Sequence, residues 1–261
     1  MTTSTPLKTH GGKAYLAKRI VGLMPPHTHY VEPYAGGLSV LLAKDPEGVS
    51  EVVNDLDGRL MDFWRCLQDP QRFERLRRRL RATPFSQVEW EGAEGVEDAA
   101  AFFIRCRQSL AGRGDAFAPL SKRRVRRGMN EQASAWLSII DGLPAVHARL
   151  SRVAILNGSA LDVIRKEDTT QTLFYLDPPY PACTRTAPDV YEFEMSDDEH
   201  RELLDLIQTV EGKVILSGYA CPLYDETLSR WWHEDFNLPN NAASGRQKRR
   251  MIERIWTNYT P

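Results

Sequence analysis

Six consecutive residues concentrate the chemistry of this chain: Tyr175-Leu176-Asp177-Pro178-Pro179-Tyr180. An acid, two stiff prolines and an aromatic make a rigid set of acceptors beside a flat stacking surface. Such a group suits a planar ring that carries an amino group. Asp177 and the Pro178 carbonyl would accept hydrogen bonds from the amine, and Tyr180 would cover the ring face. A bare Asp-Pro-Pro-Tyr is also what a solvated turn looks like, so the setting decides between the two.

That setting is the end of a strand. Thr172-Leu173-Phe174-Tyr175-Leu176 is a short apolar run of β-forming residues and reads as a buried strand. Pro178 and Pro179 have no backbone N–H to give a neighbour, so the strand stops there. Asp177 then lies at a carboxyl end, where open α/β sheets bind ligands. An earlier strand, His29 to Glu32, runs into Pro33-Tyr34-Ala35-Gly36-Gly37 and a helix from Leu38 to Lys44. Strand, glycine turn and helix begin a nucleotide-binding unit, because glycine lets the backbone turn sharply and approach a ligand. Glu51 to Asp55 is the next strand. It ends in an acid about 20 residues after the glycine turn, where Rossmann-like units hold ribose hydroxyls. Asp55 is therefore the ribose candidate. The G-x-G-x-x-G fingerprint is absent, which argues against NAD and a small-molecule oxidoreductase.

Other elements follow from pattern. Gly11-Gly12-Lys13 opens a helical stretch with Tyr15, Leu16, Ile20, Val21 and Leu23 on its apolar face. Lys13 either meets a carboxylate or is a solvated helix-start lysine. Leu60, Met61, Phe63, Trp64 and Leu67 have the spacing of a core helix. Arg152 to Leu156 is a further strand, turning through Asn157-Gly158-Ser159 into a helix. Asp162 there is either a ligand or a helix-start acid. Ser196 caps a helix on which His200 is expected to be exposed. Lys213 to Tyr219, Trp231 to Phe236 and Met251 to Asn258 complete the strands.

The totals set bounds. The 261 residues allow one large domain or a core with an insertion, and 42% hydrophobic with 26% charged residues is an ordinary globular balance. A net charge of −1 means that any polyanion surface must be local. No apolar run approaches the roughly 20 residues of a membrane span. Cys66, Cys106, Cys183 and Cys221 are far apart, which fits reduced thiols and no zinc site.

The local charge is found between the second and third strands. Residues 69–150 form a connection long enough to expect a function. Arg72, Arg75, Arg77, Arg78, Arg79 and Arg81 face one acid, Glu74, on what reads as a solvated helix. Between Arg105 and Asn130 stand eight basic residues (Arg105, Arg107, Arg113, Lys122, Arg123, Arg124, Arg126, Arg127) and one acid, Asp115. In a near-neutral chain that concentration predicts phosphate contact, with a solvated loop as the alternative. Residues 132–150 return as a helix anchored by Trp136, Leu137 and Ile140.

Taken in order, Gly11-Gly12-Lys13, Pro33-Tyr34-Ala35-Gly36-Gly37, Asn54-Asp55-Leu56-Asp57, Asp177-Pro178-Pro179-Tyr180 and Lys213 to Tyr219 resemble the adenine-N6 DNA methyltransferases of the Dam type, the alpha group. The resemblance runs from Lys8 to Asn258. In that family Thr9 stands where Trp is frequent, Tyr34 stands for Phe, and Leu38 stands for a glycine. The resemblance implies a Rossmann-like, mostly parallel α/β sheet with its last strand antiparallel. Residues 1–68 and 151–261 would form the cofactor-binding catalytic core, and 69–150 an inserted, largely helical target-recognition region.

It also implies the reaction. S-adenosylmethionine is the expected cofactor, with Thr9, Lys13, Tyr34, Gly36, Asp55, Asp162 and Asp177 around it. Adenine in double-stranded DNA is the expected substrate, flipped from the duplex. Asp177, Pro178, Pro179 and Tyr180 would carry catalysis, and the eight basic residues would hold DNA. No metal, membrane or covalent intermediate is expected, and a monomer acting at the nucleoid in the cytoplasm would fit. A restriction system, a phage or a mobile element would each suit the family. Cytosine-C5 chemistry is rejected, because Pro181-Ala182-Cys183 lacks an adjacent Pro-Cys pair. Cytosine-N4 or RNA adenine as substrate, and a non-catalytic DNA-binding relative, are the rivals.

Overall fold

A computed structural model describes residues 3–8, 12–112, 114–184, 193–239 and 250–261. The strands are β1 (His29–Glu32), β2 (Ser50–Asn54), β3 (Val125–Arg126), β4 (Met129–Asn130), β5 (Val153–Leu156), β6 (Thr172–Leu176), β7 (Lys213–Tyr219), β8 (Trp232–Pro239) and β9 (Arg250–Thr257). Seven of them form one sheet in the order β5-β2-β1-β6-β7-β9-β8, and β3 pairs with β4 alone. β1 runs parallel to both β2 and β6, and β6 is parallel to β7. β9 is antiparallel to β7 and β8. The expected α/β class, mostly parallel with an antiparallel final strand, is what the chain forms.

The chain divides into two compact units. The first comprises Met1–Val21, Gly36–Pro46 and Gly58–Ile155; the second comprises Gly22–Ala35, Glu47–Asp57 and Leu156–Pro261. In the second unit every residue of β6 is buried. A parallel strand covered on both faces has no solvated side to alternate toward, which explains the unbroken apolar run. Its core gathers Val31, Phe174, Leu176, Leu203, Leu204, Val214, Leu216, Tyr224 and Trp256. The helix Asp197–Ile207 starts in a capping box: Ser196 Oγ accepts from the Glu199 N–H, and the Glu199 carboxylate accepts from the Ser196 N–H.

The first unit is mainly helical. Its aromatic core stacks Phe63 on Phe103 at 5.5 Å, with Trp136 5.6 Å beyond. Pro70 opens the helix Pro70–Ala82, where its missing N–H costs nothing, and Asp69 caps it by accepting from the Arg72 N–H at 2.7 Å.

Three side chains depart from expectation. Tyr15 is 58% exposed, because the apolar stretch splits into a 3-10 turn Lys13–Tyr15 and a helix Ala17–Gly22, which rotates Tyr15 outward. Leu137 is exposed while Trp136 and Ile140 are buried, since it lies on the other side of the helix Glu131–Leu150. His200 is fully buried, its Nδ1 3.0 Å from the Tyr224 hydroxyl.

Candidate active site

The order β2-β1-β6-β7 reverses direction between β1 and β6, the switch point at which parallel sheets leave a crevice beyond their carboxyl ends. His29 pairs with Thr172 and Val31 with Phe174, so the segments after β1 and β6 leave the sheet side by side. Tyr34 follows β1, Asp177 follows β6 and Asp55 follows β2. Three residues singled out from sequence thus emerge at the ends of three adjacent strands of the second unit.

Asn54 ties those ends together. Fully buried, its side-chain amide donates to the Pro33 carbonyl and the Gly158 carbonyl, each at 3.0 Å, and its Oδ1 accepts from the Gly158 N–H at 2.9 Å. The Ala35 N–H donates to the Asn54 carbonyl at 2.8 Å. Sequence reasoning passed over Asn54 in favour of its neighbour. The available signal was an amide, with two donors and an acceptor, at the last residue of a buried strand. Asp55 is half-buried, and its Oδ1 accepts from the Asp57 N–H at 3.1 Å, which turns the chain into the next helix. Asp162 is exposed in the first turn of its helix, beside the Ser159 cap, and pairs with Arg165 at 3.2 Å.

Around the Asp-Pro-Pro-Tyr segment the hydroxyls of Tyr175, Ser217 and Tyr180 are paired and buried. The Tyr175 hydroxyl lies 2.9 Å from Ser217 Oγ on β7. Burial pushes the Tyr175 hydroxyl well above the ordinary tyrosine value, and the charge of Asp177 adds to the effect. Tyr34 shifts upward for the same leading reason, with Glu199 and Asp55 contributing. Both phenols therefore stay neutral at neutral pH. Pro178 is buried, and Asp177 and Pro179 are half-buried. Tyr180 is 4% exposed; it donates to Glu253 Oε1 at 2.7 Å and meets the Tyr219 ring edge-on at 4.6 Å.

The first unit holds the other glycine-turn residues. Lys13 is 3% exposed, not solvated. Gly36 has φ +46°, and a Cβ built there would meet nothing within 4 Å. The Trp64 indole N–H donates to the Gly36 carbonyl at 3.1 Å, so a residue read as core packing also fixes the turn. Leu38, where the family resemblance put a glycine, is fully buried with φ 53° and ψ 30°. It holds a left-handed backbone of the kind that favours glycine, at about 1–2 kcal/mol. Thr9 lies outside the described residues.

The arginines separate into two kinds. On the helix Pro70–Ala82, Arg72, Arg77, Arg79 and Arg81 pair with Asp62, Glu74, Asp98 and Asp141. Arg105 lies 3.8 Å over the Trp90 ring and donates to the Gly114 carbonyl at 2.5 Å. Arg107 is half-buried, and burial lowers its pKa. Both heads face protein, a different setting from the open cluster the sequence suggests. Lys122, Arg123, Arg124, Arg126 and Arg127 are exposed. Here β3 and β4 form a hairpin with Val125 opposite Asn130 and Arg126 opposite Met129. Arg127 (φ 55°) and Gly128 (φ 74°) make its two-residue turn, both left-handed as that hairpin type requires. Arg124 lies 3.4 Å from Glu131, and Arg127 donates to Ser138 Oγ at 2.6 Å. Arg113 lies outside the described residues. Among the described residues no helix is long and apolar enough to cross a membrane.

No curated protein matches the chain. A solved structure, the rRNA methyltransferase aviRa from Streptomyces viridochromogenes, aligns over 93% of this chain and 83% of its own, at 14% identity and a TM-score of 0.38. A likeness of that strength decides nothing. The family profile does: that of the D12 class N6 adenine-specific DNA methyltransferases matches residues 10–111 and 141–244. The match contains Asp55, Asp177 and Tyr180 and leaves the β3-β4 hairpin outside it. The chain belongs to the D12 class N6 adenine-specific DNA methyltransferase family.

Proposed function

We propose that this DNA-adenine methyltransferase takes its methyl group from S-adenosylmethionine and delivers it to an adenine flipped out of a specific duplex sequence. The observation that carries the reading is Asp177, at the carboxyl end of β6 beside the switch point, followed by buried Pro178 and hydrogen-bonded Tyr180. S-adenosylmethionine suits the donor set. Open space over Gly36 admits a ligand against the backbone, and half-buried Asp55 ends β2 where ribose hydroxyls need an acceptor. Asp55 would hold the ribose, Tyr34 and Asp162 would flank the nucleoside, and Lys13 and Gly36 would take the methionine part, with Thr9 nearby in sequence.

When bound, that cofactor supplies an activated methyl group. The chain supplies position. Asp177 and the Pro178 carbonyl accept from the adenine amine and turn its lone pair out of conjugation. Pro179 stiffens the segment, and Tyr180 packs against the base. Alignment of the amine with the methyl is chiefly a proximity effect. Residues 69–150 form the target-recognition region in this reading, and Lys122, Arg123, Arg124, Arg126 and Arg127 meet DNA. A left-handed arginine at a hairpin tip favours this, because a glycine there would be less strained.

Incubation of unmethylated DNA with methyl-labelled S-adenosylmethionine, digestion to nucleosides and mass spectrometry tests the proposal. The expected product is N6-methylated adenine. A methyl on cytosine would replace the substrate base. Cofactor binding with no transfer to DNA would overturn the reaction.

A further inference from the structure

We infer that Glu253, on the final strand, is a positioning residue that sets the ring of Tyr180; this rests on the functional reading above. Glu253 is 2% exposed and sits in the interior of the sheet, opposite Tyr219 of β7 on one side and Phe236 of β8 on the other. A carboxylate in such a place is costly unless hydrogen-bonded, and an apolar side chain would fill the space at less cost. Its 2.7 Å bond from the Tyr180 hydroxyl links two residues 73 positions apart.

The bond completes a three-sided hold. The two prolines before Tyr180 stiffen the chain leading into it, and Pro181 after it restricts its own backbone. Tyr219 meets the ring at 67°, edge against face. Glu253 fixes the far end through the hydroxyl, so neither side-chain torsion is left to thermal choice. Ring orientation decides where a stacked base sits, and the base decides how the amine meets the methyl. A small rotation at Tyr180 therefore appears in the rate of transfer rather than in cofactor affinity.

A double-mutant cycle tests this with Tyr180→Phe, Glu253→Leu and the two combined, reading kcat and cofactor Kd in each. If Glu253 acts through Tyr180, each single variant loses about tenfold in kcat, and the double variant loses no more than either. Cofactor Kd stays within about twofold of wild type, which general loosening of the core would not leave unchanged. The double variant removes both ends of the bond together and so strands no polar group of that pair. If Glu253→Leu alone does not fold, Tyr180→Phe and the double variant decide. Equal kcat supports the inference, and a further tenfold loss overturns it. Full activity of Glu253→Leu, or single losses that multiply to about a hundredfold, also overturns it. These failures leave the wild-type reaction standing. A wild-type protein that does not methylate adenine removes the functional reading and this inference with it.

Discussion

The strand ends around Asp177 and the hairpin around Arg127 are built on opposite principles. At the strand ends, Asn54, Tyr175, Tyr180, Ser217 and Glu253 are buried and hydrogen-bonded. At the hairpin, Lys122 to Gly128 are exposed, and two strands of two residues each hold the turn. A reacting group must be fixed to a fraction of an ångström, and only packed, satisfied surroundings do that. A surface that meets a polyanion needs charge more than exact placement, and it can stand outside the core. The contrast predicts that substitutions at the strand ends change rate and stability, while those at the hairpin change DNA affinity and leave the rate at saturating DNA as it was.

The largest expected effect is at Asp177. If Asp177 is the acceptor for the reacting amine, as proposed, Asp177→Ala should lower kcat by about 10²–10³-fold with the fold intact, as read by single-turnover transfer and circular dichroism. Near-normal turnover would break the chemical half of the contrast. Asn54→Ala removes three hydrogen bonds from a fully buried site. It should cost about 3 kcal/mol and lower Tm by roughly 6–10 °C, read by calorimetry.

Neutralising Arg123, Arg124, Arg126 and Arg127 to Gln should leave stability within about 0.5 kcal/mol. The slope of log affinity for DNA against log salt should fall by about 3 to 4. An unchanged slope would mean that DNA lies elsewhere. Arg127→Gly sharpens the point, because it relieves a left-handed arginine. It should stabilise the chain by about 1 kcal/mol while weakening DNA binding, so the two readouts move in opposite directions.

The smallest effect concerns pH. The Ser196 N–H and hydroxyl hold the Glu199 carboxyl below its ordinary value of 4.5. The unfolded chain therefore binds this proton more readily, and the stabilisation is complete above pH 4.5 and lost as pH falls through the folded value. A Glu199→Gln variant lacks this contribution. Its Tm deficit at neutral pH should shrink on acidification between pH 5 and 3.

What sequence could show follows the same division. β6 and its stop were legible because an unbroken apolar run and two residues without N–H groups are local facts. The place of Asp55 just past the end of β2 was legible, because the apolar run before it is local. Arg105 was not, because Trp90, the ring beneath it, lies 15 positions away on another helix. His200 seemed exposed among acids, yet Tyr224 draws it inward. The hairpin was visible only as charge, since its strands are too short for an alternating pattern. Glu253 gave no local sign either, because its partner Tyr180 is 73 positions away.

The most direct measurement sets the two regions against each other in one assay. Single-turnover methyl transfer at saturating DNA, together with DNA Kd, is measured for Asp177→Ala and for the four-arginine variant. Asp177→Ala should keep its Kd and lose its rate, and the arginine variant should lose affinity and keep its rate once DNA saturates. Loss of the same quantity in both variants would contradict the separation of chemistry at the strand ends from DNA contact at the hairpin.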